Sequence, residues 1–297
     1  MAVHVAEQSN VVAVAAVNRI DHYVIQVNDL WRSFEFYRDV LGAQVDAIAG
    51  ADIERLSHRG NQILFIRIAG HRGVGMAVSN VETPPATRMF EHYTVGFEVT
   101  DPQLLDLQAL LGTRGTPYVG PNVYGPALPI ARSLFFQDPD GHTIEACVRS
   151  TSSGSESEPR SQTGSGPVHP RRISHMRVEV TDVNRSARWF QDVLGFEPVL
   201  EHEREAYLKV RNGDQLLVLR PTRELSPWRD FVRGPHIDLE VPPAAYPAIF
   251  ERIEDREGYW DSAPHPFNGP RGVDHNVTVY FFDPDGNRFQ VSPAGSH

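Results

Sequence analysis

The chain repeats itself, and that repetition limits its fold more than any other feature. Ile20-Asp21-His22-Tyr23-Val24-Ile25-Gln26-Val27 is followed by Trp31 to Gly42, ending Asp39-Val40-Leu41-Gly42. The second half returns to the same pattern with Ile173-Ser174-His175-Met176-Arg177-Val178-Glu179-Val180, then Ser186 to Gly195, ending Asp192-Val193-Leu194-Gly195. In each copy the first segment alternates like a strand. The second carries apolar residues at helical spacing and stops at Leu-Gly, where glycine suits a helix C-terminus. The ends of the halves match as well. Leu134 to Gly141 and Tyr280 to Gly286 both run into an Asp-Pro-Asp-Gly turn, followed by the short strands Thr143 to Val148 and Arg288 to Val291. Each reads as a hairpin whose turn residues suit the backbone.

Each half divides again. His92-Tyr93-Thr94-Val95-Gly96-Phe97-Glu98-Val99 opens a second strand-then-helix unit with its helix from Pro102 to Leu111. His236 to Val241 does the same, with its helix from Ala244 to Ile253. Four βαβββ units in two pairs give an α+β fold of two modules, each pair curling its strands into an incomplete barrel with helices outside. The expected division is an N-terminal segment (1–17), module one (18–149), a flexible linker (150–170) dominated by Ser, Gly, Glu and Pro, and module two (171–293).

Composition narrows the function classes. With 40% hydrophobic residues there is enough apolar material for real cores. A net charge of −10 gives no basic footprint for nucleic acid or for an anionic membrane surface. No stretch reaches the length of a membrane span. Val11 to Val17 lacks the basic region a signal peptide needs. The single cysteine, Cys147, lies in an apolar run, suits buried packing and fits the reducing cytoplasm.

Three positions recur and carry the chemistry. A histidine opens the first strand of each half (His22, His175), and a second opens the strand of the next unit (His92, His236). On the last strand, after the Asp-Pro-Asp-Gly turn, stands Glu145 in one half and Gln290 in the other. The separations agree: 70 residues from His22 to His92 against 61 from His175 to His236, then 53 to Glu145 against 54 to Gln290. Because a strand alternates its faces, one side chain per strand can point into a common cup. Two imidazoles and one carboxylate on one face of a dication leave open positions and suit non-haem Fe(II), with Mn(II) and Zn(II) as alternatives. The expected metal ligands are therefore His22, His92 and Glu145 in module one. Gln290 has no charge to offer, so module two reads as degenerate. A lone histidine is usually structural; two histidines and a glutamate at repeated positions are not so easily dismissed. The Asp-Pro-Asp-Gly turns read as structural, His142 as a solvated loop residue. Tyr118 and Tyr124, in the Gly/Pro-rich loop 112–129, are candidate acid–base or substrate contacts; His58, His71 and Tyr93 are further options.

With these residues in view, the chain resembles the vicinal oxygen chelate superfamily, which includes glyoxalase, bleomycin-resistance proteins and type I extradiol dioxygenases. Length and paired modules look most like the last group. The run Gly272 to Arg288, with Tyr280-Phe281-Phe282-Asp283-Pro284-Asp285-Gly286-Asn287-Arg288 at its end, is similar to the end of catechol 2,3-dioxygenases. The resemblance implies an Fe(II)-dependent ring-cleaving enzyme acting on a small aromatic substrate and O2, and it allows a homo-oligomer. It also implies that Tyr280 hydrogen-bonds substrate, whereas the matching position in module one is Phe135. The family's usual metal lies in the C-terminal module, where this chain has Gln290. A glyoxalase-type lyase or isomerase would need a fourth ligand. Aligning Gly60 and Gly213 with Gly141 puts Leu64 and Leu217 at that position, and neither can ligate. A metal-dependent lyase and an aromatic-compound-binding resistance protein are the alternative readings.

Overall fold

The structure is a computed structural model that describes residues 17–49, 63–68, 71–78, 93–150, 168–202, 204–210, 214–223, 235–256, 259–260, 265–266 and 277–294. His58 and His92 lie outside the described residues, as do almost all of the N-terminal segment and most of the linker.

Unit one comprises β1 (Arg19–Val27), α1 (Leu30–Leu41), β2 (Gln44–Ala49), β3 (Ile63–Ile68) and β4 (His71–Val78). Unit two comprises β5 (Thr94–Glu98), α2 (Asp101–Arg114), β6 (Tyr118–Val123), β7 (Ile130–Gln137) and β8 (Thr143–Arg149). Unit three comprises β9 (Arg172–Val180), α3 (Val183–Leu194), β10 (Glu197–His202), β11 (Glu205–Lys209) and β12 (Leu216–Pro221). Unit four comprises β13 (His236–Val241), α4 (Tyr246–Asp255), the short strands β14 (Tyr259–Trp260) and β15 (His265–Pro266), then β16 (Val277–Phe282) and β17 (Arg288–Pro293).

Local sequence fixes the helix ends. The Asp29 carboxylate accepts the Trp31 and Arg32 amides at the start of α1, and Asp182 caps α3 in the same way. Both helices stop at the expected glycines, Gly42 and Gly195, which adopt φ of 65° and 69°. Most residues avoid that left-handed conformation, and glycine does not. Thr100 and Gln103 form a reciprocal capping box on α2.

The α+β class and the four-unit construction match expectation, and among the described residues neither sheet closes into a barrel. The pairing of units differs. The first sheet runs β14-β16-β17-β13-β1-β4-β3-β2, with β15 on β16, and so joins unit one to unit four. The second runs β10-β11-β12-β9-β5-β8-β7-β6 and joins unit two to unit three. The seams are antiparallel: β1 on β13, and β5 on β9. Each is pinned by an ion pair between its strands. Arg19 reaches the Glu240 carboxylate through Nε at 3.1 Å and Nη2 at 2.9 Å, and Arg172 reaches Glu98 at 2.7 Å.

The Asp-Pro-Asp-Gly turns tie the units of each half together by another route. Asp140 accepts the Asn28 amide, Arg32 Nη2 at 2.6 Å and Ser33 Oγ at 2.7 Å, which fastens unit two to the start of α1. Asp285 accepts the Thr181 amide, Arg185 Nη2 and Ser186 Oγ, fastening unit four to α3. These turn carboxylates are structural, as expected. His142 is not a solvated loop residue: it is half-buried, and its Nε2 lies 2.6 Å from the Gln26 carbonyl. α1 packs on β3 and β4, α2 on β6 to β8, and α3 on β10 to β12, leaving the opposite sheet faces for the sites.

Candidate functional site

Each seam obeys a local pseudo-twofold. Across β1 and β13 the register pairs His22 with Asp238 and Val24 with His236. Across β5 and β9 it pairs Thr94 with Arg177 and Gly96 with His175. The equivalent first-strand positions are thus His22, Thr94, His175 and His236. Two residues further along, on the same face, stand Val24, Gly96, Arg177 and Asp238. The last strands supply the partners of this second set: Gly75, Glu145, Val218 and Gln290.

This register corrects three expectations. The strand position equivalent to His236 in unit two is Thr94, two residues beyond His92. The last strand of unit one is β4, so the fourth-ligand position is Gly75 rather than Leu64; in unit three it is Val218 rather than Leu217. Neither residue can ligate. Finally, the structure separates the expected metal ligands: His22 is on the first sheet and Glu145 on the second, with different partners.

On the first sheet, His22 is buried with Nδ1 2.8 Å from Asp21 Oδ2 and 3.6 Å from Asp238 Oδ2. A carboxylate only accepts, so Nδ1 carries the proton and the ring's lone pair is on Nε2. Arg19 holds Asp21 at 2.6 Å. Asp21, His22 and Asp238 are also the one group of three potential ligands found close together among the described residues, with one ligand atom of each within 4.8 Å of the others. His236 lies diagonally across the seam, with Nε2 3.0 Å from Gln290 Oε1. Gln290 Nε2 donates to Ser292 Oγ, and Ser292 Oγ donates to Asp238 at 2.9 Å. Tyr280 stands in register with Gln290, and its ring meets His236 edge-on at 5.1 Å. The Arg288 guanidinium lies 4.3 Å over the other side of this system, against the Tyr280 ring.

This face fits a dication. Its donors are two imidazoles and an amide oxygen, with buried carboxylates behind them. The 3.0 Å between His236 and Gln290 is the spacing of neighbouring ligands each about 2.1 Å from a shared ion. Asp21 on His22 is the usual carboxylate support of a ligating histidine.

The second sheet is built differently. Glu145 is fully buried and is bound by Arg177 through Nε at 2.6 Å and Nη2 at 3.2 Å, by His175 Nε2 at 2.8 Å and by the Ser133 hydroxyl. Burial alone would raise the Glu145 pKa, but the Arg177 charge, helped by His175, holds it well below the ordinary carboxylate range. Burial lowers the pKa of His175 against the pull of Glu145 and keeps the ring neutral. Nε2 then donates to Glu145, while the Nδ1 lone pair faces Ser174 Oγ at 3.2 Å and Cys147 Sγ at 3.9 Å. The ring lies so close over Gly96 that a β-carbon there would meet it at 2.2 Å. Neither His175 Nε2 nor the Glu145 oxygens are available to an ion, and a guanidinium already fills the cation position. A metal does not fit this face.

Of the tyrosines expected to act as acid or base, Tyr280 is on the first face. Tyr124 is half-buried on the second, its pKa raised by burial and by Glu145. Tyr118 is largely exposed on β6. Tyr93 is buried, and its hydroxyl accepts the Arg288 amide at 2.7 Å, a structural role. Sequence reading missed Arg177, Asp238 and Asp21. The first two were accessible, since each follows a candidate histidine by two residues on a strand and so shares its face.

The fold and these faces define a class. The Glyoxalase/Bleomycin resistance protein/Dioxygenase superfamily model matches residues 19–146 and 172–291, and the chain belongs to that superfamily. Among solved structures, glyoxalase I of Zea mays is 16% identical, with 93% of this chain and 92% of that one covered and a TM-score of 0.63. A putative dioxygenase of Bacillus subtilis is 14% identical, with 95% and 86% covered and a TM-score of 0.68. Comparison with curated proteins gives no match. Among the described residues no helix is long and apolar enough to cross a membrane.

Proposed function

We propose that the chain is a cytoplasmic divalent-metal enzyme, an Fe(II)-dependent extradiol-type dioxygenase acting on a catecholic or related small aromatic substrate. His22, His236 and Gln290 hold its metal on the first sheet. The observation that carries this reading is the seam register, which sets buried His22 and His236 at equivalent positions of one face, together with the 3.0 Å contact of His236 with Gln290 and the packing of Tyr280 on His236. His22 is retained from the expected set, while His236 and Gln290 replace His92 and Glu145. When bound, Fe(II) would supply Lewis acidity towards the substrate and a path for electrons to dioxygen. Asp21 keeps the His22 lone pair on Nε2. Tyr280, whose ring packs on His236, would hold the proton of a substrate hydroxyl. Phe65, edge-on to His22 at 5.2 Å, helps to exclude water. Gln290 is uncharged, so more of the ion's positive charge is left for an anionic diol.

One observation favours a second reading, a glyoxalase-type lyase or isomerase. The buried Asp238 carboxylate, beside His22 and held by Ser292, is a ready proton acceptor for a reaction without oxygen.

The test is metal analysis of anaerobically purified protein, then oxygen uptake with a panel of catechols. Stoichiometric iron and uptake on at least one diol are expected, and His22→Ala and Gln290→Ala should abolish both. Metal without uptake, together with turnover of a hemithioacetal, would transfer the assignment to the lyase. Protein that binds aromatics equally well after chelation and consumes no oxygen is a binding protein instead.

A further inference from the structure

Gln290 occupies the strand position at which the second sheet has Glu145, and an amide differs from a carboxylate in having two unlike ends. Only its carbonyl oxygen can ligate, because the NH2 end offers hydrogens instead of a lone pair. Which end faces His236 therefore decides whether this buried side chain can serve an ion. That choice is fixed two residues further along the strand. Ser292 is fully buried, and its hydroxyl gives its single hydrogen to Asp238 Oδ2 at 2.9 Å. Its oxygen is left as an acceptor, and Gln290 Nε2 donates to it at 3.1 Å. The amide oxygen is thereby turned to His236, with Oε1 3.0 Å from Nε2. Turning the amide over would set its oxygen against the Ser292 lone pairs and take that acceptor from a buried NH2, a loss on both sides. The second sheet has no such need. A carboxylate's two oxygens are alike, and the position matching Ser292 is Cys147, a weak donor.

We propose that Ser292 is a positioning residue of the first face, holding the Gln290 amide with its oxygen towards His236 and so making a neutral side chain a usable metal ligand. The inference rests on the metal reading of that face. Ser292 acts through Gln290 rather than on substrate. The same hydroxyl ties the amide to the carboxylate beside His22, whose Nδ1 is 3.6 Å from Asp238 Oδ2. His236, Gln290, Ser292, Asp238 and His22 thus form one polar chain across the seam, with Ser292 setting its direction.

The experiment has two measurements, and the first needs no metal. In the isotope-labelled full chain after EDTA treatment, the Gln290 NH2 protons should show stronger NOEs to the Ser292 β-protons than to the His236 ring. The reverse order would overturn the proposal. The second follows Mn(II) binding through the EPR signal of the free ion. Ser292→Ala should weaken binding by roughly 10–100-fold, the usual cost of removing a group that orients a metal ligand. In a Gln290→Glu background the same change should have no effect, because a carboxylate has no wrong end. An equal loss in both backgrounds would overturn the proposal, since Ser292 would then act through Asp238 alone. A parent that binds Mn(II) no more tightly than Ser292→Ala would overturn it too, and would leave the metal reading standing. A parent that takes up no Mn(II) would overturn both.

Discussion

The two sheets share a seam geometry and a set of equivalent positions, yet their centres solve different electrostatic problems. The first brings His22, His236, Gln290 and Asp238 onto one face, where the proposed ion would supply the positive charge. The second places Glu145 opposite Arg177, so its cation is covalently part of the chain. A buried charge is tolerable only with a partner, and the partner's source decides what a face can do. Where a side chain provides the charge, the face is complete as folded. Where it does not, the face has capacity for an ion and for the chemistry an ion brings.

The sharpest way to break this comparison is to remove the built-in cation. Arg177→Met leaves the Glu145 charge buried without its main partner and should cost about 3–5 kcal/mol of stability in urea unfolding. Adding Glu145→Leu to that variant should restore most of the loss. A single variant as stable as the parent would mean that the pair is not the organising feature of this face.

Metal retention tests the other half. His22→Ala should lose stoichiometric metal altogether. Asp21→Asn, which removes only the support of His22, should weaken metal binding by roughly 10–100-fold. Glu145→Gln should leave metal content at the parent level. Iron lost with Glu145 but kept without His22 would put the ion on the wrong sheet for the present reading.

Gly96→Ala probes packing at the second seam. The added methyl must displace the His175 ring, and overpacking of this kind costs about 1–3 kcal/mol. Thermal unfolding would register it, and an unchanged midpoint would show that the ring does not lie against the backbone there.

The smallest effect is confined to acid. The folded pKa of Glu145 lies below its unfolded value, so its contribution to stability is complete above the unfolded value of about 4.3. As pH falls from there towards the folded value, that contribution disappears. The stability of the parent relative to Arg177→Met/Glu145→Leu should therefore decline below that pH and stay level above it. A flat difference across the acid range would indicate that Glu145 is not ionised in the folded protein.

Much of this molecule is legible from local sequence. The Leu-Gly helix ends and the Asp-Pro-Asp-Gly hairpins depend on neighbours within a few residues, and the structure places them as the pattern requires. The position of Tyr280 opposite Gln290, and of Phe135 opposite Glu145, also follows from counting along the hairpins. Counting failed across units. Spacing matched His92 to His236, but the register counts back from Glu98 and Glu240 and makes Thr94 the equivalent residue. Nothing local marks the first residue of a strand that closely.

What the sequence determined by itself is the unit, its helix caps, its turns and the face on which each polar residue stands, because strand periodicity and turn chemistry act over short distances. Which unit meets which was decided by the tertiary structure. Four first strands of similar pattern offer nearly interchangeable edges, and hydrophobic alternation sets their register and facing without naming a partner. The ion pairs Arg19–Glu240, Arg172–Glu98 and Arg177–Glu145 form only when unit one finds unit four and unit two finds unit three. That choice put His22 with His236 and gave Glu145 a guanidinium.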